Sequence, residues 1–480
     1  MSRSHRRNEK NPVPRRTVLR AIGAGAAWAC LSKAGWTEPT KDAGLSVGEG
    51  VADITPPEGV ELAGFHRPPG QERRSKGVRE PSSVRALVFE VGGVRAAVVS
   101  LELLAVGQQA SERIRRKIAQ GTGIAPGNIK LCATHTHSMP SLQPLRQWGS
   151  VSPEYLSLVE ERTVTAVAEA VGDLAPAQLK LGRATVKGGN FNRTTSSWKT
   201  EDAFDDQASD QDRWLDRDLH ALLIEREGRK NLLWYLFSAH PVCFADEWTG
   251  PDWPALVAHR AEARWGIAPG YLQGHIGDVN PGDGNPWRGD ADKTANAVWA
   301  GLEAAVNSAQ PLDVDRLEIV RGACTLPLDV ERWFAWVEEY RRDPEACKSG
   351  VWVDAPFAAA WFDANKDRDP QSMPHQLPTE LACWRLGPLH LLFHGGELYS
   401  YYGLWMRKHS PSPHTLVVGY ADDFVGYLTD PRAHAAAEYA AVVVPKILDL
   451  PPFQPNAAEV LARGLVDLAR ETAVAPATEG

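Results

Sequence analysis

Apolar residues recur along this chain with two spacings. At 84–91, 94–101, 128–133, 178–186, 219–226, 232–237, 317–326, 389–393 and 415–418 they alternate with polar residues or run unbroken for a few positions, the pattern of strands buried on one face or both. Between these runs, at 110–120, 153–171, 254–265, 291–307, 330–342, 397–408 and 457–472, they return every three to four residues, which lays an apolar stripe along one side of a helix. Strands interleaved with helices predict an α/β fold of mixed sheets with flanking helices. No repeat with a period of about 20–50 residues breaks the pattern, so one large domain accounts for the chain beyond its first residues. Two stretches depart from it. Residues 203–214 are acidic and loop-like, and residues 343–378, with Trp352 and Trp361 among Pro, Asp and Gly, read as a long insertion. Long irregular segments often act as lids or binding loops; a plain surface excursion fits the same composition.

The N-terminus follows another rule. Pro14-Arg15-Arg16-Thr17-Val18-Leu19-Arg20 leads into a short apolar run from Ala21 to Leu31. A bilayer core of about 30 Å needs roughly 20 apolar residues, so this run does not span. A basic region followed by a short small-residue stretch instead resembles a twin-arginine export signal. The expected division is residues 1–36 as the signal and 37–480 as the mature domain, delivered to the periplasm or the exterior, with cleavage near Ala29 or Ala34; a basic disordered tail is the plainer alternative. No second hydrophobic segment follows, so no transmembrane segment is predicted.

Composition narrows the partners. Lys and Arg number 52 against 60 Asp and Glu, a net charge of −8 with a pI near 6.0, which predicts no general attraction to nucleic acid or anionic lipid. Trp (17) exceeds both Phe (12) and Tyr (10), an order that points to ring-lined clefts or interfaces beside an aliphatic core. Cys132, Cys243, Cys324, Cys347 and Cys383 follow the signal and none forms a CxxC pair, which argues against a cysteine zinc site and leaves room for one disulfide.

Gly44-Leu45-Ser46-Val47-Gly48 matches the GxSxG string of serine hydrolases, but that motif needs a strand, a sharp elbow and a helix, and the following EGVADITPP cannot continue as a helix through two prolines. The match is a coincidence. Ala133-Thr134-His135-Thr136-His137-Ser138 carries more chemistry. It follows a β-type run, and in an extended chain His135 and His137 face the same side. Such a pair presents one metal ligand with a neighbouring acid/base, or two ligands, or two hydrogen-bonded polar residues. His240 ends another apolar run, with Pro241 holding it extended. Glu397 follows a third, after Gly395 and Gly396, where it opens the next helix. Two histidines and a glutamate at strand ends match the composition of catalytic zinc sites that keep one position open for water.

These residues sit in a longer series of strings: GVADITPP (50–57) with LAGF (62–65), VVSLELL (98–104), ATHTHS (133–138), Asn192-Arg193-Thr194, Ala239-His240-Pro241, GDVNP (277–281), GGE (395–397), and GYLT (426–429) with Glu438-Tyr439. In that order they resemble the neutral, non-lysosomal ceramidases and their bacterial relatives, over roughly residues 46–445. The resemblance implies a ceramidase-like catalytic domain with Zn2+ held by His135, His240, Glu397 and Tyr427. It further implies that Tyr439, twelve residues after Tyr427, binds the amide oxygen, and that His137 and Arg193 line the same pocket. Two departures stand out. Asn280 occupies the place of the family's serine, and an amide cannot be an acylated nucleophile; the chain also ends at Gly480 after one helix, where ceramidases continue into an immunoglobulin-like domain. Smaller departures are Glu102, His275 and His394, the two imidazoles offering acid/base work or, on the favoured reading, hydrogen-bonded pocket lining.

The expected activity is therefore metal-dependent hydrolysis of the amide of a small-molecule or lipid-like N-acyl compound by activated water. Tyr439 and Arg193 stabilise the oxyanion, His137 and Asp278 carry protons, and Asn280 orients water or substrate. Two alternatives remain: a non-catalytic lipid- or glycan-binding protein using Trp352 and Trp361 as a platform, and a zinc hydrolase of esters or other amides.

Overall fold

The computed structural model describes residues 44–194 and 214–473. The expected export signal and nearly all of the acidic stretch 203–214 lie outside the described residues.

The largest sheet runs, from one edge, through Gly270–Gln273, Leu232–Phe237, Asp218–Arg226, Ala175–Thr185, Ser46–Asp53, Ser83–Val91, Val94–Leu101 and Ile129–Ala133. Its interior pairs are antiparallel, while the two outermost pairs, Gly270–Gln273 with Leu232–Phe237 and Val94–Leu101 with Ile129–Ala133, are parallel. The sheet curls until its ends meet: Ser100 Oγ donates to Tyr271 O (2.6 Å) and Gln273 Nε2 to Thr134 O (3.0 Å). A second sheet orders Leu317–Pro327, Gln376–Leu386, Leu389–Phe393 and His414–Val418, the last two in parallel. The first sheet is joined to the end of the second where Gly419 N donates to Gln273 O (3.0 Å) and Ala133 N to Tyr420 O (3.1 Å).

Helices pack against these sheets where their stripes are apolar. Pro153–Gly172 begins at Ser152, whose side chain accepts from Tyr155 N, and buries Val159, Ala166, Val167 and Ala170. Its neighbour is the strand Ser46–Asp53, where a Cβ on Gly48 or Gly50 would lie 2.1 Å from Ala170 O or 2.0 Å from Ala166 O. Bare backbone is thus what lets this helix lie on the strand, and the GxSxG match is the entrance to that strand with no elbow.

Most expected elements occur within a few residues of their predicted limits; 94–101, 232–237, 291–307, 330–342 and 389–393 coincide with observed ones. The sequence reading missed Ser46–Asp53, Gly270–Gln273 and Gln376–Leu386. Glu397 does not open a helix. It lies in the short strand Gly396–Leu398, and the helix Ser400–His409 begins after it. Residues 343–378 are also less irregular than expected, because Asp354 caps a helix, Ala355–Asn365, by accepting from Phe357 N (2.8 Å). Trp352 and Trp361 are 2% and 0% exposed and pack with Trp333 and Trp336 in the core, so they form no ligand platform. The five described cysteines are unpaired. Among the described residues no helix is long and apolar enough to cross a membrane.

Candidate metal centre

Four wholly or largely buried strands, each in a parallel pair, release the chain toward one place. Ile129–Ala133, Leu232–Phe237, Leu389–Phe393 and His414–Val418 lead respectively to His135, His240, Glu397 and Tyr427. Carboxyl ends of parallel strands are the usual position of ligand sites in α/β sheets, because the ladder ends there and the loops are free to converge.

His135 does not reach the site by continuing the pleat. Its backbone is left-handed, φ 64°, a conformation uncommon for a residue with a side chain, and its N–H donates to Leu103 O (3.0 Å). The turn, rather than an extended i, i+2 relation, brings the His135 and His137 rings edge to face at 5.0 Å. His135 Nδ1 lies 2.9 Å from Leu104 O and His240 Nδ1 2.7 Å from Val279 O. A carbonyl only accepts, so Nδ1 carries the proton in each ring and Nε2 presents its lone pair inward. Burial, and then the Arg193 charge, push His240 down to about 3, so it stays neutral, as a ligand must be.

Glu397 Oε2 lies 3.3 Å from His135 Nε2 and 3.7 Å from His240 Nε2 and accepts from Tyr420 Oη (3.3 Å). Burial raises this carboxyl, and positive charge on the neighbouring rings would draw it below the usual carboxylate range. Tyr420 also stacks on His135, ring centroids 4.3 Å apart. Tyr427 is set beside Glu397 by main-chain pairing: Gly396–Leu398 and Gly426–Leu428 run parallel, with Glu397 opposite Tyr427. The Tyr427 oxygen accepts from Arg193 Nη2 (2.7 Å), while Arg193 also donates to Gly277 O and Asn280 Oδ1, both at 3.0 Å. Tyr439 stands at the rim, 46% exposed, its ring edge-on to Tyr427 at 6.4 Å.

His135, His137 and His240 offer nitrogen atoms all within 4.8 Å of one another. Both nitrogens of His137 and Nε2 of His240 are buried without a hydrogen-bond partner. Buried polar atoms in native proteins are nearly always satisfied, and unprotonated imidazole nitrogens facing a carboxylate are a donor set for a divalent metal. The residues present therefore fit such an ion. His137 is held in place from behind by Gly64, where a Cβ would come within 2.5 Å of its Nδ1.

Two other expected residues are placed differently from the roles first given them. Asp278 turns its oxygens away, accepting from Ser400 N (2.8 Å), Ser400 Oγ (2.7 Å) and Asn192 Nδ2 (2.8 Å), while its carbonyl accepts from Arg193 N (2.8 Å). Burial raises its carboxyl to about 6 despite these bonds, and they tie Ser400 and Asn192 together while its main chain holds that of Arg193. Both ends of the Asn280 amide are likewise engaged, Oδ1 by Arg193 and Nδ2 by donation to Trp287 O (2.7 Å). Of the additional imidazoles, His275 lies 3.1 Å from Asp216 and His394 Nδ1 accepts from Gly396 N (3.2 Å). Tyr420 and the Leu104 carbonyl were missed: a second-layer phenol has no spacing signature, and a main-chain oxygen has no sequence signature at all.

The pocket over the centre, about 40 Å3 in volume, is lined in part by apolar residues, among them Leu104, Leu145, Trp148, Val444, Ile447 and Leu448.

Residues 45–249 match the family described as neutral/alkaline non-lysosomal ceramidase, N-terminal. A neutral ceramidase from Mycobacterium tuberculosis (strain ATCC 25618 / H37Rv) is 29% identical over 168 residues, 32% of this chain and 26% of that protein. The match thus spans about a quarter of that relative's length. The neutral ceramidase from Pseudomonas aeruginosa has the same fold, with a TM-score of 0.68 and 20% identity over 89% of this chain and 74% of that one. A ceramidase complexed with C2 gives the same score and identity over 90% and 76%. The resemblance to ceramidases read in the sequence is borne out, and so is the mixed α/β fold.

Proposed function

We propose that this chain is an exported zinc-dependent hydrolase that cleaves the amide bond of an N-acyl, lipid-like compound. The observation that carries the reading is the convergence of His135 Nε2, His240 Nε2 and Glu397 Oε2, with both imidazoles oriented by carbonyls behind them, on a fold shared with ceramidases. His135, His240, Glu397 and Tyr427 would hold the ion. A zinc ion bound there lowers the pKa of a water toward 7 and polarises a carbonyl.

The protein's own groups do the rest. The apolar lining takes the acyl chain and excludes water from it. Tyr439 at the rim donates to the amide oxygen, and the Arg193 charge, fixed by Asn280 and Gly277, favours the anionic character that develops on that oxygen. His137, neutral and without a hydrogen-bond partner, is the base that takes a proton from water and returns it to the departing nitrogen. Asn280 acts by holding Arg193, so attack by water is the route that fits its amide. The arginine pair and short apolar run at the N-terminus support delivery by the twin-arginine route.

The test is metal analysis of the purified protein together with release of amine from N-acyl probes, with and without chelator. Zinc near one equivalent, activity lost on chelation and restored by zinc, and loss of both in His240→Ala are expected. A His240→Ala protein that keeps full metal occupancy overturns the site, and amine release that ignores the chelator overturns the metal-dependent reaction.

A further inference from the structure

Arginines gather around Phe65, next to His137. The Phe65 ring meets the His137 ring edge to face at 5.1 Å, and two guanidinium groups lie over Phe65, Arg73 at 4.8 Å and Arg288 at 5.9 Å from its centroid. Arg73 is 2% exposed and donates only to carbonyls, Asp246 O (3.0 Å), Ala63 O (3.3 Å) and His137 O (2.8 Å). Its charge has no carboxylate in contact: Asp246 is paired with Arg79 and Glu247 with Lys76. Burial, and next the nearby Arg67 charge, lower Arg73 to about 10, although Asp246 and Glu247 act in the opposite direction. Arg67 donates to His66 O (2.8 Å), and neither Arg67 nor Arg288 has an ion-pair partner among the described residues. In a chain of net charge −8, this gathering of guanidiniums near the His137 ring is a local excess of positive charge.

Arg288 is also held in position. Its loop, 282–289, is tied down by the Asn280 Nδ2 donation to Trp287 O (2.7 Å), by Gly282 N to Gly189 O (2.9 Å) and by Gly289 N to Pro286 O (2.8 Å). Asn280 thus bonds Arg193 inside the pocket with one end and the loop that presents Arg288 outside it with the other.

We propose that Arg288, over the Phe65 ring, forms an anion subsite, and that the substrate bears a carboxylate on the amine side of the scissile bond, as an N-acyl amino acid does. This rests on the amidase reading above. With the acyl chain against the apolar lining residues, the head group would lie on the His137 side, where Phe65 and Arg288 stand. A guanidinium fork matches a carboxylate in geometry as well as charge, whereas the neutral hydroxyls of an N-acyl amino alcohol would leave the cluster uncompensated.

The experiment compares amides of one fatty acid with glycine, glutamate, ethanolamine and sphingosine, using the zinc-loaded protein and its Arg288→Gln and Arg288→Lys variants. The glycine and glutamate amides should have the higher kcat/KM. Arg288→Gln should lower the ratio of anionic to neutral kcat/KM about tenfold, the share of one charge-assisted hydrogen bond, mainly through KM, and Arg288→Lys should restore part of it. Neutral amides turned over equally well or better, or a ratio unmoved by Arg288→Gln, overturns the subsite while leaving the amidase reading intact. If no amide is cleaved, the amidase reading falls, and calorimetric binding of N-acylglycine against N-acylethanolamine judges the subsite by itself: equal affinities overturn it, and preference for the anion that Arg288→Gln abolishes sustains it.

Discussion

One strand, Ile129–Ala133, carries a buried charge cluster near its start and leads into the candidate metal centre beyond its end, and the two are built on opposite rules. Lys130, 2% exposed, donates to Glu380 Oε1 (2.6 Å) and Asp422 Oδ2 (2.7 Å). The other Asp422 oxygen accepts from Leu131 N (3.0 Å) and Ser111 Oγ (3.1 Å), and Arg115 joins both carboxylates. Here the partners offset the desolvation of each charge. A few residues on, His137 and His240 leave buried nitrogens without partners, and Glu397 is approached by two imidazoles through a single oxygen. The closed cluster holds the curled sheet to the loop at 420–424; the open one is shaped for something the chain does not itself provide. Chemistry-bearing residues are distinguished here by what they lack.

Breaking the open cluster should show the largest effect. His135→Ala should remove the ion and lower amide hydrolysis by about three orders of magnitude or more, several kcal/mol of transition-state stabilisation, while circular dichroism stays native. Breaking the closed cluster should do the converse. Lys130→Met leaves Glu380 and Asp422 buried around an apolar chain and should cost about 3–5 kcal/mol in denaturant unfolding, with metal content unchanged below the transition. If Lys130→Met lost the ion with no loss of stability, the contrast would be wrong. Tyr420→Phe, which removes one hydrogen bond to Glu397, should weaken zinc affinity by about 10-fold to 100-fold, read by chelator competition.

A pH dependence sharpens the rule for buried cations. Lys446 is 0% exposed, donates to Val442 O and Val351 O, and lies 3.6 Å from the Trp336 ring centroid, with no carboxylate in contact. Burial pushes it down to about 7, below its unfolded value near 10.4. Between those values the unfolded chain holds the proton more tightly, so stability should rise with pH from about 7 toward 10, by at most about 1.4 kcal/mol per pH unit. Lys446→Met should flatten that rise in urea titrations run at several pH values.

Most of the frame was legible because burial leaves a period in the sequence. The unbroken apolar run at 232–237 and the helical stripe at 291–307 needed no context. Ser46–Asp53 was hidden because Gly48 and Gly50 read as breakers, and only the helix across them shows why they are glycine. Gln376–Leu386 was hidden by Pro378, Thr379 and Glu380, the last of which serves the Lys130 cluster. In the site, His135, His240 and Glu397 were visible as strand-end candidate ligands, whereas Tyr427 came only from the family resemblance. The geometry that joins them was not visible, since a left-handed His135 and a strand at Glu397 are both tertiary outcomes that run against local preference. Asp278 and Asn280 were read as chemical groups because of their types; their partners make them supports.

The pairing of Glu397 with Tyr427 across two three-residue strands joins a carboxylate and a phenol from distant parts of the chain into a single two-pronged unit whose bite, the spacing between the two groups, is set by main-chain hydrogen bonds. The intervening residues can lengthen, shorten or vary without changing that bite. A slip of one residue between the two strands, however, would turn one prong to the opposite face, and no rotamer could bring it back.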